Sequence, residues 1–370
     1  MRIFCSSCDV GSLKQNLALV KELVKIEPQS RVIFVTEGPS TRELNNVVLD
    51  ERVRHFDISG QSLDAQELFI RDTLKRFRPH FGLLGLSVDN SRIDEISLKI
   101  FKELGLASAV IQDYWGYLGK FNNDFSPDFF FVMDRVAKDL TCESIKNTNV
   151  IISGSPKHNQ YKYLLRYWRK KNSLHLTCRQ GILFVAQPLH IPGIRYNFAC
   201  LCTALAPISE SVRLRVRLHP ADLSAGGEFL QIMSDGGIRG GIETSSGDLE
   251  KELMHSDVVV TCFSTAGIDH NYLQLYSAEP LGKLIYLNCG SELQNFMKKT
   301  HGRPFVPGTI TGLGISCTTQ EELTLALTQS PEAVIGEYFS SVKAVLNAHA
   351  SPAESIYEVL INNQNEGCGK

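Results

Sequence analysis

Residues 257–263, DVVVTCF, are apolar on both parities of the chain, and such a run is stable as a strand only where both of its faces are covered. Helices that cross over a parallel sheet provide that cover, so this one stretch points to an α/β architecture. Residues 81–86, FGLLGL, carry the same signature in the first half of the chain. Each run leads through small or polar residues into a segment with helical periodicity: Ser264-Thr265-Ala266-Gly267 before residues 268–276, and residues 87–91 before residues 93–104.

The remaining segments repeat the alternation. Residues 2–5 open as a strand, Gly11 and Ser12 form a turn, and Leu13, Leu17, Val20, Leu23 and Val24 fall on one face of a helix over residues 13–24. Strands are expected at 31–35, 53–58, 107–112, 129–133 and 150–153, a loop at 36–40, and a helix at 63–76. Gly154-Ser155-Pro156 breaks the pattern. It restarts with strands at 182–186, 212–218, 238–242 and 283–288. Helices are expected at 195–205, 227–234, 248–254 with Ser245 or Ser246 as its cap, 321–327, 331–346 and 356–361. A glycine and proline rich stretch covers 302–314, and residues 362–370 read as a frayed tail. At 370 residues the chain exceeds the size at which one core usually divides. The expected organisation is a first domain over 1–160, a linker helix over 161–180, a second domain over 181–345, and a C-terminal helix and tail over 346–370. Two lobes of this kind would face a cleft, where small ligands bind.

Composition narrows the class. Apolar residues at 43% and charged residues at 21% describe a globular protein, and a net charge of −2 gives no electrostatic case for wholesale nucleic-acid binding. The N-terminus lacks the long apolar core of a secretory signal, and no apolar run approaches the ~20 residues of a membrane helix. Ten cysteines are scattered through the chain, Cys262, Cys289 and Cys317 within expected strands, and read as reduced, buried thiols of a cytosolic protein. Cys5 and Cys8 have C-x-x-C spacing, but no second such pair completes a metal or redox site. Tyrosine, tryptophan and basic residues crowd together over 157–171, including Trp168. This reads as a connecting helix, and its composition also suits peripheral contact with anionic lipid at the inner face of a membrane.

The segment VRLRVRLHP alternates Val212, Leu214, Val216 and Leu218 with Arg213, Arg215 and Arg217, then stops at His219-Pro220 because proline cannot donate to a ladder. His219 is thereby exposed at a strand's carboxyl end, the edge of an open α/β sheet where ligands bind. Ser264 and Thr265 stand between another strand and the first turn of a helix, where free N–H groups and the helix dipole favour an anion. Together with His219, from a strand expected to be its neighbour, they form a candidate phosphate pocket, with Gly11, Gln187, Arg217 and Pro220 as further contacts. Asp269, one helical turn after Thr265, is placed to accept from ribose hydroxyls or to be a solvated helix charge. A base for hydroxyl activation is sought among Asp9, Asp113, Glu37 and Asp89, all at expected strand ends. Asp9 ranks first and Asp113 second; each also reads as a capping or loop carboxylate.

GILFVAQP, VRLRVRLHPAD and DVVVTCFSTAGID resemble the nucleotide-sugar-binding domain of GT-B glycosyltransferases, and among these bacterial sialyltransferase, Kdo-transferase and CDP-glycerol phosphotransferase relatives with an HP motif and a later Ser-Ser or Ser-Thr pair. FGLLGLSVDNSRIDE, ASAVIQDYWG, PDFFFVMDRVAKDL and NVIISGSPKHNQ resemble the strand ends of the acceptor domain. The resemblance implies an α/β chain of two Rossmann-like domains facing a central cleft. His219 and Pro220 match the HP motif and Ser264 and Thr265 the hydroxyl pair. Asp269 departs from the glutamate usual at the ribose. The implied activity is transfer of a sugar from a CMP-nonulosonate, Kdo-like or UDP-linked donor to a glycan or lipid-linked acceptor in polysaccharide biosynthesis. Inversion is expected, with no cofactor and, lacking Asp-x-Asp, no metal. Alternatives are a CDP-glycerol-type glycerophosphotransferase and an inactive binding or assembly subunit. A sugar-nucleotide 2-epimerase is disfavoured because Ser-Thr-Ala-Gly stands where Ser-Gly-Gly is expected.

Overall fold

The computed structural model describes residues 1–86, 91–119, 121–167, 180–220, 222–238, 240–243, 248–329, 331–346 and 351–367. It divides into two compact units, one made of Met1–Asn159 with His349–Lys370 and the other of Gln160–Ala348. In the first unit β1 (Arg2–Ser7), α1 (Val10–Ile26), β2 (Arg31–Thr36), α2 (Pro39–Leu44), β3 (Val53–Asp57), α3 (Leu63–Phe77), β4 (Phe81–Leu84), α4 (Ile93–Glu103) and β5 (Ala107–Ile111) follow in order. β6 (Phe129–Val132), α5 (Arg135–Ser144), β7 (Asn149–Ile152) and α6 (Pro156–Asn159) complete the run. The strands form one parallel sheet in the order β3-β2-β1-β4-β5-β6-β7. Every apolar residue assigned to the inner face of α1 is buried against it, which is why the 3.6-residue pattern was sufficient to find this helix.

The second unit runs α7 (Tyr161–Tyr167), β8 (Gln180–Val185), α8 (Ile194–Leu205), β9 (Val212–Arg217), α9 (Gly226–Asp235), β10 (Gly240–Glu243), α10 (Leu249–Met254), β11 (Val258–Thr261) and α11 (Ala266–Tyr276). β12 (Lys283–Leu287), α12 (Ser291–His301), β13 (Ile315–Cys317), α13 (Gln320–Thr328) and α14 (Pro331–Leu346) follow. Its parallel sheet has the order β10-β9-β8-β11-β12-β13. Phe184 of β8, Phe198 of α8 and Phe229 of α9 interlock over one face, with ring centroids 4.8 Å and 4.9 Å apart for the two pairs that share Phe198. Aromatic contacts of this kind add about 0.5–1.5 kcal/mol each beyond the area they bury. The last helix, α15 (Pro352–Gly367), returns to the first unit, where Ala353, Ile356 and Leu360 join the core that contains Leu13, Leu17 and Val20 of α1.

Both units are therefore Rossmann-like, the fold class expected from the sequence. Several details differ. Residues 39–44 form a helix, with Pro39 pre-set for the first turn, where a loop was expected. The glycine-rich stretch leads into β13, whose Ile315 pairs with Ile285. The final helix begins before residue 356 and runs past 361 to Gly367, so the expected fraying over 362–367 is not found. Asp248 caps α10 by accepting from the Lys251 N–H, the role expected of Ser245 or Ser246, which lie outside the described residues. Cys262 and Cys289 sit just beyond the ends of β11 and β12. β9 and β11 are not neighbours, because β8 lies between them. Asp89 and the basic segment 168–171 also lie outside the described residues.

Candidate functional site

In the second unit, successive strands are added on one side of β8 as far as β10 and then on the other from β11 onward. The β8/β11 boundary is thus a topological switch point, where loops at the carboxyl ends diverge and leave a crevice for a ligand. β8 runs into Gln187, β9 into His219 and β11 into Ser264 and Thr265, so the intervening strand brings Gln187 to the middle of the group. The Thr261 hydroxyl donates to the Val185 carbonyl at 2.8 Å and locks β11 to β8 at this edge.

The first turn of α11 follows directly. Ser264 Oγ accepts from the Ala266 N–H at 3.2 Å, and the Ser264 carbonyl accepts from Gly267 N–H at 3.0 Å. Thr265 is exposed and its hydroxyl makes no hydrogen bond within the described residues, which leaves a donor at the positive end of an 11-residue helix. His219 is half-buried, and its carbonyl accepts from the Asp222 N–H at 2.9 Å across a turn through the exposed Pro220. Gln187 is only 4% exposed, and its Oε1 has no hydrogen-bond partner among the described residues. An orphaned carbonyl oxygen suits a hydroxyl or N–H of a ligand rather than a phosphate oxygen.

Two of the expected contact residues have partners within the protein. Arg217 is not a free cation for phosphate: its guanidinium lies 2.8 Å from Glu252 Oε1, with the two side chains 10% and 13% exposed. Asp269 is neither a solvated charge nor open to a ribose. It is 2% exposed, and its Oδ1 accepts from the Tyr161 hydroxyl at 2.8 Å, which also reaches Glu250 Oε1 at 3.1 Å. Burial, then the charges of Asp269 and Glu250, push the Tyr161 phenol well above its usual range, so it stays protonated.

In the first unit the switch point falls between β1 and β4. Asp9 caps α1, its Oδ1 accepting from the Gly11 N–H at a long 3.4 Å. The carboxylate of Asp113, beyond β5, fills the space beside the Cα of Gly11. The two leading base candidates thus meet at one helix start, and Gly11 cannot cradle a donor phosphate there, because an anion would meet a carboxylate. Glu37 is held on both oxygens, by the Ser91 hydroxyl and by Gln66 Nε2 at 2.9 Å, which is a bracing role.

Sequence reasoning overlooked Asp94. This wholly buried carboxylate, in the first turn of α4, accepts from Ser6 Oγ at 2.5 Å and from the Gly85 N–H at 2.9 Å, tying β1 to the segment after β4. An acidic residue in a first turn reads as dipole compensation, and only the tertiary placement of Ser6 and Gly85 distinguishes it. Burial raises the pKa of both Cys5 and Cys8; at Cys8 the carboxylates of Glu37, Asp94 and Asp9 add to the rise and the Ser91 contact opposes it. Among the described residues no group of three or more His, Cys, Asp or Glu side chains could hold a metal, and no helix is long and apolar enough to cross a membrane.

No protein-family model and no curated protein sequence matches the chain. Solved structures do. A Staphylococcus aureus MnaA–UDP complex is 12% identical, with 98% of this chain and 97% of that one covered at a TM-score of 0.69. A UDP-GlcNAc 2-epimerase from Neisseria meningitidis bound to UDP-GlcNAc is 12% identical over 98% and 100% of the two chains, with a TM-score of 0.64. MurG from Acinetobacter baumannii is 12% identical over 98% and 99%, with a TM-score of 0.61. At these identities the likeness establishes a shared fold, of the GT-B type expected from the sequence. None of these three is a sialyltransferase, Kdo-transferase or CDP-glycerol enzyme.

Proposed function

We propose that this chain is a glycosyltransferase using a nucleotide-activated sugar, with a UDP-sugar ahead of a CMP-linked nonulosonate or Kdo-like donor. The reading is supported by the order of the strands that lead into these residues: β8, before Gln187, lies between β9, before His219, and β11, before Ser264 and Thr265, beside the switch point of the second unit. Solved structures of the same fold that hold UDP and UDP-GlcNAc support the preference for uridine.

In this reading the hydroxyls of Ser264 and Thr265, the start of α11 and the His219 imidazole hold the donor's phosphates. The Gln187 carbonyl oxygen accepts from a ligand hydroxyl or N–H. The acceptor, a glycan or lipid-linked alcohol, attacks the anomeric carbon as the bond from that carbon to the phosphate oxygen breaks. Asp113 takes the acceptor's proton, and the nucleotide leaves with the electron pair. Asp9, whose carboxylate serves the cap of α1, is the other candidate for this role.

A second reading, 2-epimerisation of a UDP-sugar, is favoured by the likeness to the Neisseria meningitidis enzyme. Calorimetric titration with UDP, CMP and CDP followed by incubation with UDP-GlcNAc separates the possibilities. UDP release that requires an acceptor alcohol supports transfer, the 2-epimer formed without acceptor supports epimerisation, and, in a parallel incubation with CDP-glycerol, glycerol phosphate passed to the alcohol with release of CMP supports the glycerophosphotransferase. Binding of none of them supports an assembly subunit. His219→Ala is expected to lower turnover about 100-fold or more with the fold retained; wild-type turnover would remove His219 from the site.

A further inference from the structure

His219 is the one imidazole the proposed site uses, yet the turn that carries it has only Pro220, which donates nothing, immediately after it. What fixes this turn is found two residues further on. The N–H of Asp222 donates to the His219 carbonyl at 2.9 Å, and the carbonyl of Asp222 accepts from Ala225 N–H at 3.3 Å, so the residue closes one turn and opens the next. Its carboxylate is divided between two partners: Oδ1 accepts from the Ser224 hydroxyl at 3.4 Å within the second turn, and Oδ2 accepts from the backbone N–H of Leu189 at 2.8 Å, across 33 residues of sequence. Leu189 belongs to the loop after β8, two residues beyond Gln187, and Pro188 beside it has no N–H to offer. The Pro188 carbonyl in turn accepts from Ile191 N–H at 3.1 Å, so the loop is a compact turn with the Leu189 N–H directed outward. Beneath them β8 and β9 pair in parallel as far as Val185 and Arg217, and Ala186 N–H donates to the Arg217 carbonyl at 3.0 Å. Past that point the Asp222 carboxylate continues the connection between the two loops.

We propose that Asp222 is a positioning residue of the nucleotide site, its carboxylate tying the His219 turn to the Gln187 loop so that imidazole and amide are held in one geometry before the ligand arrives. This rests on the nucleotide reading given above and adds to it a residue that touches no substrate. A charge-assisted bond to a backbone N–H is among the stronger protein hydrogen bonds, and rigidity beneath a binding group is what preorganises it.

The test compares wild type, Asp222→Ala and Asp222→Asn. Asparagine keeps an acceptor oxygen for Leu189; alanine does not. UDP affinity is expected to fall about tenfold in Asp222→Ala and to stay within about threefold of wild type in Asp222→Asn. Affinity for uridine, which lacks the phosphates His219 would hold but keeps the hydroxyls and N–H that Gln187 would meet, is expected to fall less than that for UDP. Hydrogen exchange at the Leu189 amide, slow in wild type and faster in Asp222→Ala, reads the tie directly and can be measured in the wild type even if the alanine variant fails to fold. Wild-type UDP affinity in Asp222→Ala, or an unprotected Leu189 amide in wild type, overturns the positioning role alone. Failure of the wild type to bind any nucleotide overturns the reading on which it rests.

Discussion

The carboxylate of Asp113 occupies the volume that a side chain at position 11 would need: a Cβ built on Gly11 would overlap Asp113 Oδ2 and lie 3.3 Å from its Cγ. Gly11 has no positive φ, so its backbone would accept alanine without strain and only the carboxylate stands in the way.

Gly11→Ala should therefore act as a displacement of Asp113. The expected cost to stability is modest, about 1–3 kcal/mol, and if Asp113 is the base the turnover falls at least tenfold while nucleotide affinity holds. Steady-state rates beside calorimetric binding check this, and equal losses in affinity and rate would instead place the defect in the donor site.

Arg217 and Glu252 form an ion pair with little exposure on either side. Removing one member leaves a charge with little solvent, so Glu252→Ala should cost about 3 kcal/mol in urea unfolding. Replacing both, as Arg217→Met with Glu252→Leu, should recover most of that loss. If Glu252→Ala unfolds at the wild-type urea midpoint, the pair contributes nothing.

His270 supplies a pH signature. The Tyr338 hydroxyl donates to Asn271 Oδ1 at 2.6 Å, so the 3.0 Å contact between that hydroxyl and His270 Nδ1 needs the proton on Nδ1. Nε2 is then a bare acceptor, buried without a partner among the described residues. Burial pushes the pKa down from 6.5 to about 4. Because the folded value is the lower one, the stabilisation is complete above pH 6.5 and is lost as pH falls toward 4, the unfolded chain binding the proton first. The full swing is about 3 kcal/mol. Urea melts of wild type and His270→Gln across that window should diverge in slope, and parallel curves would show that His270 is not buried neutral.

The sequence made the strands legible through apolar runs or, at β9, through alternation, and so made legible that His219, Ser264 and Thr265 stand just beyond strand ends. It could not supply the order of strands, and so β8 was not foreseen between β9 and β11. The partners of Arg217 and Asp269 were not foreseen for the same reason: Glu252 and Tyr161 are far away in sequence and nothing local marks them. β13, at three residues, is marked in the sequence only by the strand expected around Cys317, and its extent is set by the edge that β12 offers it.

The return of α15 to the first unit gives the chain an order of assembly. Gln160–Ala348 is one unbroken segment, so the second unit can close as soon as it has emerged from the ribosome. The first unit was synthesised earlier, but its hydrophobic interior waits for Ala353, Ile356 and Leu360. A product terminated before residue 352 would thus expose apolar surface on the half made first, and would be a substrate for chaperones or proteases while its second half stood complete.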